Sequence, residues 1–390
     1  MDKVHIDLGA NSYDVIIDRG LIGRTGKEIK DLTGAKKAVI LTEAGLDRLY
    51  GQDLKAQLEA AGTDVLMMVL SPHEKTRNLS VVKRVYESLA DFGIERTDLL
   101  VALGGRVVGD VTGFVAATFH RGMNYVQVPT SLLAQIGSAI GGKVSIDLGK
   151  KKSLIGAFYY PKAVYVDPDL VKTLPVRYVH NGLGEAVKVG CVSDKELFEI
   201  FEKAGTEEEI FKKLPEIIRR CIEIKSRLVE ADPADKKERR ILDFGHAIGR
   251  AAESYYRFDD RALTHGEATA AGMYMMTTAS EMLGLTEKGT AERIEKVLKF
   301  LGLPTSLDIP AKDLGMLIEA NGRFGKDTGE IPLLMEIGKG YLYKGDIEKI
   351  KKEMENLIKE DFPIVKKTYK KYEALKIFKE NDDLDKYNLL

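Results

Sequence analysis

The sequence predicts an α/β domain built on a parallel sheet, followed by a mainly α-helical domain. Three observations predict this. Residues 1 to about 175 alternate short β-branched apolar runs with stretches whose apolar residues recur every three and four positions. From about residue 180 onward only the helical spacing persists, in long segments. Between the two, VDPDLVKTLP interrupts both periods with its prolines and acids. A chain of 390 residues also exceeds the roughly 250–300 at which a single core stops growing.

In order along the first part, KKAVILTEA, TDVLMMVLS, TDLLVALGG and NYVQVPTS read as strands. LDRLYGQDLKAQLEAAG and SVVKRVYESLADFG, between them, read as helices. A strand–helix–strand series demands a parallel sheet with helices on its faces, and residues 1–178 are assigned to it. In the second part AVKVGCVSDKELFEIFEKAG, EEEIFKKLPEIIRRCIEIKSRLVEAD, ILDFGHAIGRAAESYY and GEATAAGMYMMTTASEMLG read as helices, within a domain of residues 179–345. Residues 346–390, rich in Lys and Glu, read as a charged C-terminal helix or tail. No internal repeat is present.

Composition narrows the class. An apolar fraction of 44% and a charged fraction of 31% are those of a soluble globular protein, and no apolar run approaches the roughly 18 residues of a membrane span. The opening MDKVHIDLGANSYDVIID lacks the basic, apolar and small-residue regions of a secretory signal, so a cytoplasmic location is expected. Cys191 and Cys221 lack metal or redox spacing and read as buried free thiols. A net charge of −1 supplies no general attraction for nucleic acid or an anionic membrane. Any anion specificity must therefore be local.

Chemistry concentrates in a few segments. Glu185 in GLGEAVKVG, His246 in LDFGHAIGR and His265 in THGEATAAGM offer one carboxylate and two of the chain's six imidazoles, a donor set suited to a divalent ion such as zinc. LLVALGGRVVGD runs from an apolar strand into Gly104, Gly105 and Gly109 and then into a helix, where backbone N–H groups can meet a pyrophosphate. Glu43 ends an earlier strand and could hold a ribose hydroxyl pair; it precedes the glycines, whereas the usual dinucleotide acid follows them. A second glycine–lysine segment, SAIGGKVSIDLGKKKSLIGAF, places Lys143, Lys151 and Lys152 after Thr130 and Ser131 as anion contacts from a loop. Lys225 and Arg239 form a cationic pair ahead of His246. Asp243, His246 and Arg250 recur at three and four, which places them along one helix face.

Taken together, LGGRVVGD, FVAATFHRG, QVPTSLLAQ, IGGK, LIGAFYYPKAV, LPVRYVHNGLGEAVKVG, LDFGHAIG and HGEATAAGM resemble the dehydroquinate synthase family of sugar-phosphate cyclases, in order and spacing over residues 10 to about 340. The resemblance implies an α/β N-terminal Rossmann-like nucleotide-binding domain plus a mainly α-helical C-terminal metal-binding domain, working as a homodimer with NAD and Zn2+ (or Co2+). It implies a carbon–oxygen lyase of the shikimate pathway. Such an enzyme converts a carboxylated seven-carbon sugar phosphate to a carbocycle with phosphate release, through transient oxidation by NAD and no net redox change.

By position, the resemblance makes Glu185, His246 and His265 the metal ligands, and Lys188 the contact to the hydroxyl that is oxidised. It gives the substrate carboxylate to Lys225 and Arg239, a further substrate contact to Lys143, and the partner subunit's phosphate site to Arg121. It assigns NAD to Glu43, Glu74, Gly104, Gly105, Asp110, Thr130, Ser131, Lys152 and Thr173. Several positions depart from the family pattern. Arg106 replaces a third glycine, Gly137 an acid and Ser153 an asparagine, and His73 and Arg77 alter the GE..K signature. Asp243 and Arg250 replace an asparagine and a histidine, and NGRFGKD lacks the usual Asp-Lys-Lys. A guanidinium at 250 can bind phosphate but cannot exchange protons near neutral pH. The alternatives are a divergent cyclase acting on another sugar phosphate, a metal-dependent alcohol dehydrogenase, or a catalytically impaired paralogue.

Overall fold

The computed structural model describes residues 1–71, 76–149, 151–256, 262–320 and 329–359. The chain divides into two compact units, Met1–Leu174 with Lys225–Ala234, and Pro175–Ile224 with the chain from Asp235.

The first unit is organised by a sheet. Its strands are β1 (Asp2–Ile6), β2 (Tyr13–Ile17), β3 (Lys37–Glu43), β4 (Asp64–Leu70), β5 (Leu99–Gly104), β6 (Asn124–Pro129) and, later in the chain, β9 (Ala163–Val166). Their order is β1-β2-β9-β6-β5-β3-β4, with every pair parallel except β1 with β2. Helices α1 (Thr25–Thr33), α2 (Gln52–Ala60), α3 (Leu79–Phe92) and α4 (Arg106–Thr118) cover both faces. Alternation along the strands explains the covering. Ala38 and Ile40 pack with Leu54 and Leu58 on one face, whereas Val39 and Leu41 pack with Val85, Leu89 and Val111 on the other. All six residues of β5 are buried, as a strand covered on both faces requires.

Strands β1, β2 and β9 are additions to the sequence reading. They are short, and polar residues in β1 and β2 dilute the apolar signal. The glycine–lysine segment is a correction: it forms a separate antiparallel hairpin, β7 (Lys143–Leu148) and β8 (Lys151–Phe158), and not a loop. Val144 and Ile146 alternate into the core beside Val111 and Phe114, which is the period of a strand. A Cβ on Gly113 would collide with Val144, so glycine lets α4 approach the hairpin.

The second unit is built on helices α5 (Val176–Ser193), α6 (Lys195–Lys203), α7 (Glu207–Lys212), α8 (Leu214–Ala231), α9 (His246–Tyr255), α10 (His265–Met282), α11 (Thr290–Phe300), α12 (Ala311–Ala320) and α13 (Ile347–Lys359). The last turns of α8, from Lys225, group with the first unit. A hairpin of β10 (Ile331–Glu336) and β11 (Lys339–Tyr343), absent from the sequence reading, joins the helices. Asp194 splits one expected helix in two, its side chain accepting from Leu197 N at 3.0 Å as the N-cap of α6. Helices α5 and α10 are buried almost all round, with Val179–Val192 and Gly266–Met273 lying in the core.

Two glycine contacts set the spacing that matters for the site. A Cβ on Gly266 would strike the Asn181 backbone, and one on Gly245 (φ +78) would strike Thr269 O, so α5 and α9 both press against α10. Phe244 ends a short 3-10 turn, Glu238–Asp243, and the left-handed Gly245 is the N-cap from which α9 begins. Asp243 therefore lies ahead of the helix and not on one face of it with His246 and Arg250, a correction to the helical spacing.

Among the described residues no helix is long and apolar enough to cross a membrane. Cys191 and Cys221 are buried thiols outside any disulfide, and burial pushes the Cys191 thiol up.

Candidate active site

Three helices each deliver one metal-type donor. Glu185 comes from the middle of α5, and His246 and His265 are the first residues of α9 and α10. The three donor atoms lie within 4.8 Å of one another. Glu185 Oε1 stands 3.5 Å from His246 Nε2 and 3.3 Å from His265 Nε2, and the two rings are 4.9 Å apart.

The outer contacts fix the tautomers. His246 Nδ1 lies 3.0 Å from Asp243 Oδ1, and His265 Nδ1 lies 2.7 Å from Glu253 Oε1. A carboxylate only accepts, so each Nδ1 carries the hydrogen and each Nε2 presents its lone pair. Both rings face Glu185 Oε1, which is buried and has no hydrogen-bond partner among the described residues. Acceptors facing one another repel unless cations lie among them; Lys188 Nζ meets Glu185 Oε2 and His246 Nε2, which leaves Glu185 Oε1 and His265 Nε2 facing each other at 3.3 Å. Carboxylate-backed imidazoles with a carboxylate are a donor set for a divalent ion, and the residues present fit one.

Charge around the cluster is balanced locally. Lys188, one turn after Glu185 and 3% exposed, donates to Glu185 Oε2 at 2.5 Å and lies 3.0 Å from His246 Nε2. Burial favours the neutral acid at Glu185, but the Lys188 ammonium beside it outweighs burial and holds this carboxyl well below the usual range. Burial, with Lys188, lowers the pKa of His246. Burial also opposes charge on His265, but the carboxylates of Glu253 and Glu185 reverse the balance and raise its pKa.

Asp243 and Arg250 do approach, with Arg250 Nη2 3.8 Å from Asp243 Oδ1, yet the shorter contact of that oxygen is to His246. The aspartate is thus an orienting group for the imidazole before it is a counter-ion for the guanidinium. Glu253 is absent from the sequence reading. It lies seven residues after His246 on α9, and nothing in that spacing announces a partner on α10.

The cationic pair is divided, with Lys225 in the first unit and Arg239 in the second. Lys225 Nζ donates to Gly137 O, and a side chain at Gly137 would meet nothing within 4 Å. Arg239 is 2% exposed, and its Nε lies 3.8 Å from Asp235 Oδ1. Arg121 is exposed and follows His120 in a left-handed backbone, at φ +61 after φ +50. Consecutive non-glycine residues of that kind are costly and mark a special site.

In the first unit the glycine turn forms as the sequence reading expects. Gly104 ends β5 and Gly105, which offers no side-chain cap, is the N-cap of α4, so the backbone N–H groups of the first turn lie at this end of the sheet. Thr130 N donates to Gly104 O at 3.1 Å, and Ser131 closes over Gly105. Glu43 ends β3, the parallel neighbour of β5, so it lies at the same carboxyl edge of the sheet. Thr173 Oγ1 lies 2.8 Å from the Tyr50 hydroxyl, and Lys152 is exposed on β8.

Asp110 is held inward. Arg77, 0% exposed, donates to Asp110 Oδ2 at 2.6 Å and to Asp147 Oδ1 at 2.9 Å, and Arg106 Nε lies 3.7 Å from the same Asp110 oxygen. Arg106 therefore turns toward α4's own aspartate from the first helical position. Glu74 and His73 lie outside the described residues, as do NGRFGKD and residues 360–390.

Comparison with known proteins agrees with this anatomy. Residues 67–181 match the model of the 3-dehydroquinate synthase N-terminal domain, and residues 182–321 match that of its C-terminal domain. The chain is 43% identical over 308 residues to the 3-dehydroquinate synthase of Clostridium acetobutylicum, covering 79% of this chain and 86% of the relative. It is 43% identical over 351 residues to that of Clostridium perfringens, covering 89% and 99%. Among solved structures, 2-epi-5-epi-valiolone synthase from Streptomyces hygroscopicus subsp. jinggangensis, with NAD+ and Zn2+ bound, superposes with a TM-score of 0.81. It is 25% identical, and the match covers 91% of this chain and 99% of that one. Fold and site together define an enzyme of the sugar-phosphate cyclase class. The chain belongs to the 3-dehydroquinate synthase family.

Proposed function

We propose that this chain catalyses the 3-dehydroquinate synthase reaction, turning a carboxylated seven-carbon sugar phosphate into a carbocycle with loss of phosphate. The observation that carries the reading is the convergence of Glu185, His246 and His265, each imidazole backed by a carboxylate. In this reading the three hold Zn2+, with Co2+ as a substitute. Bound there, the ion would supply Lewis acidity to the reacting oxygens, and NAD would supply a hydride acceptor with no net redox change.

The chain's own residues orient and neutralise the substrate. Lys188, anchored by Glu185, presents N–H groups to the hydroxyl that is oxidised. Lys143, Lys225 and Arg239 receive the substrate's anionic and hydroxyl groups, with Lys225 and Arg239 on the carboxylate. Arg250 grips phosphate as a planar fork but cannot exchange its proton, so the departing phosphate itself removes the proton in the elimination. Arg121 reaches the phosphate site of a partner in a homodimer. The uncapped start of α4, Gly104 and Gly105 receive the NAD pyrophosphate. Glu43 takes a ribose, and Glu74, Asp110, Thr130, Ser131, Lys152 and Thr173 complete the pocket.

Purified protein given NAD, zinc and the seven-carbon substrate is expected to release inorganic phosphate without accumulating NADH. No phosphate release with zinc, cobalt or any other divalent ion tried would end this reading. A divergent cyclase for another sugar phosphate is the second reading, favoured by the open space at Gly137 and by the Asp243–Arg250 contact. Product analysis across heptulose and hexose phosphates separates the two.

A further inference from the structure

Helix α5 carries a polar stripe. Arg177, Asn181, Glu185 and Lys188 follow one another at four, four and three residues, which places them along one face. Three of the four reach the first turn of α10. Arg177 Nε and Nη2 grip Glu267 Oε1 and Oε2 at 2.8 and 2.7 Å, and Nη2 also donates to Ala262 O at 2.7 Å. One turn on, Asn181 Oδ1 accepts from Gly266 N at 2.6 Å. One turn further, Glu185 Oε1 lies 3.3 Å from His265 Nε2.

The two residues that follow His265 are thus each tied to the helix that supplies Glu185. Glu267 is tied on its own helix as well. Its Oε2 accepts from Thr264 N at 2.8 Å, while Thr264 Oγ1 accepts from Glu267 N at 3.3 Å, a capping box that encloses His265 in sequence. The α10 start also abuts α5 without slack, since a Cβ on Gly266 would strike the Asn181 backbone. A bidentate guanidinium–carboxylate pair fixes rotation as well as distance, which a single ammonium contact does not.

We propose that Arg177 is a positioning residue of the metal centre. Its grip on Glu267 holds His265 in register with Glu185 and so sets the affinity for the divalent ion. Arg177 touches none of the three ligands and lies eight residues, roughly 12 Å at 1.5 Å per residue, from Glu185 along α5. The inference rests on the reading of Glu185, His246 and His265 as ligands.

The test is zinc affinity, measured by competition with a chromophoric chelator, with the visible spectrum of the cobalt-loaded protein as a second readout. Arg177 is 38% exposed, so Arg177→Met leaves no buried void, and Glu267 keeps its Thr264 link. Arg177→Met is expected to weaken zinc binding about tenfold or more, the scale of outer-shell changes at metal sites, and to alter the cobalt bands. Arg177→Lys recovers part of the loss, and Glu267→Gln gives an intermediate loss should the methionine variant fail to fold. A lowered melting temperature with wild-type zinc affinity and cobalt bands would reduce Arg177 to a structural brace and overturn the proposal. If the wild-type protein takes up no divalent ion, the metal reading itself fails and this inference with it.

Discussion

The two units assemble their candidate sites by opposite means. In the first, the turn proposed to bind an anion is made of backbone: Gly104, Gly105 and the start of α4 follow directly from the end of β5. In the second, the site is made of side chains from three helices, spread from Glu185 to His265 and held by outer carboxylates at positions 243 and 253. A backbone site needs a strand, glycines and a helix in sequence. A side-chain site needs every supporting contact at once, so single substitutions should damage it more selectively.

The largest effect tests whether the two sites are independent. His265→Ala removes one of three ligands, and activity is expected to fall by about 10³-fold or more as several kcal/mol of electrostatic stabilisation is lost. Zinc per chain should fall with it, while NAD affinity stays within about twofold of wild type. Measured side by side, a parallel loss of NAD would break the contrast drawn here. Exhaustive chelation of the wild-type protein should give the same pattern, with activity restored on adding zinc.

The next effect belongs to the first unit. Arg77→Met takes the buried guanidinium from the carboxylates of Asp110 and Asp147, which are 8% and 7% exposed at their side chains, and leaves Asp110 the longer Arg106 contact and Asp147 the Ser153 N–H. Breaking a buried pair in this way costs about 3–5 kcal/mol, because an uncompensated charge stays behind. Denaturant unfolding should show that loss, with zinc content retained in the folded fraction. A change below about 1 kcal/mol would mean that solvent or another cation relieves the two acids.

How much of this was legible follows the same divide. The glycine turn and the parallel strands flanking it were readable because their signals are local: short continuous apolar runs at β3 and β5, and glycines directly after an apolar strand. Glu185, His246 and His265 were visible as residue types in glycine-bounded helices. Their supports were not. Glu253 lies twelve residues before its partner His265, on a different helix, and its contact depends on the close approach of α9 to α10 that Gly245 and Gly272 permit. Asp243 was noticed by spacing but placed on the wrong element, since one left-handed glycine starts the helix after it. Arg77 read as a departure from a motif, whereas its burial between Asp110 and Asp147 depends on the β7–β8 hairpin, a tertiary fact.

The smallest effects sharpen the contrast by grading the two supports. Glu253→Gln should weaken zinc binding about tenfold or more, since a carboxylate partner raises imidazole basicity and fixes the tautomer. Asp243→Asn should cost less. Its contact to His246 is longer, 3.0 against 2.7 Å, its side chain is more exposed, 25% against 11%, and Arg250 already draws on the same oxygen from 3.8 Å. An asparagine oxygen can still accept from His246 Nδ1–H, so the tautomer survives and only the charge is lost. A loss of about threefold is expected, within the modest range of partly exposed charge interactions. Adding Arg250→Gln to Asp243→Asn should return part of that loss, because the guanidinium would no longer face the site without its counter-ion. Zinc competition titrations on the four proteins of this cycle decide the matter. Strictly additive changes would show that Asp243 serves His246 alone.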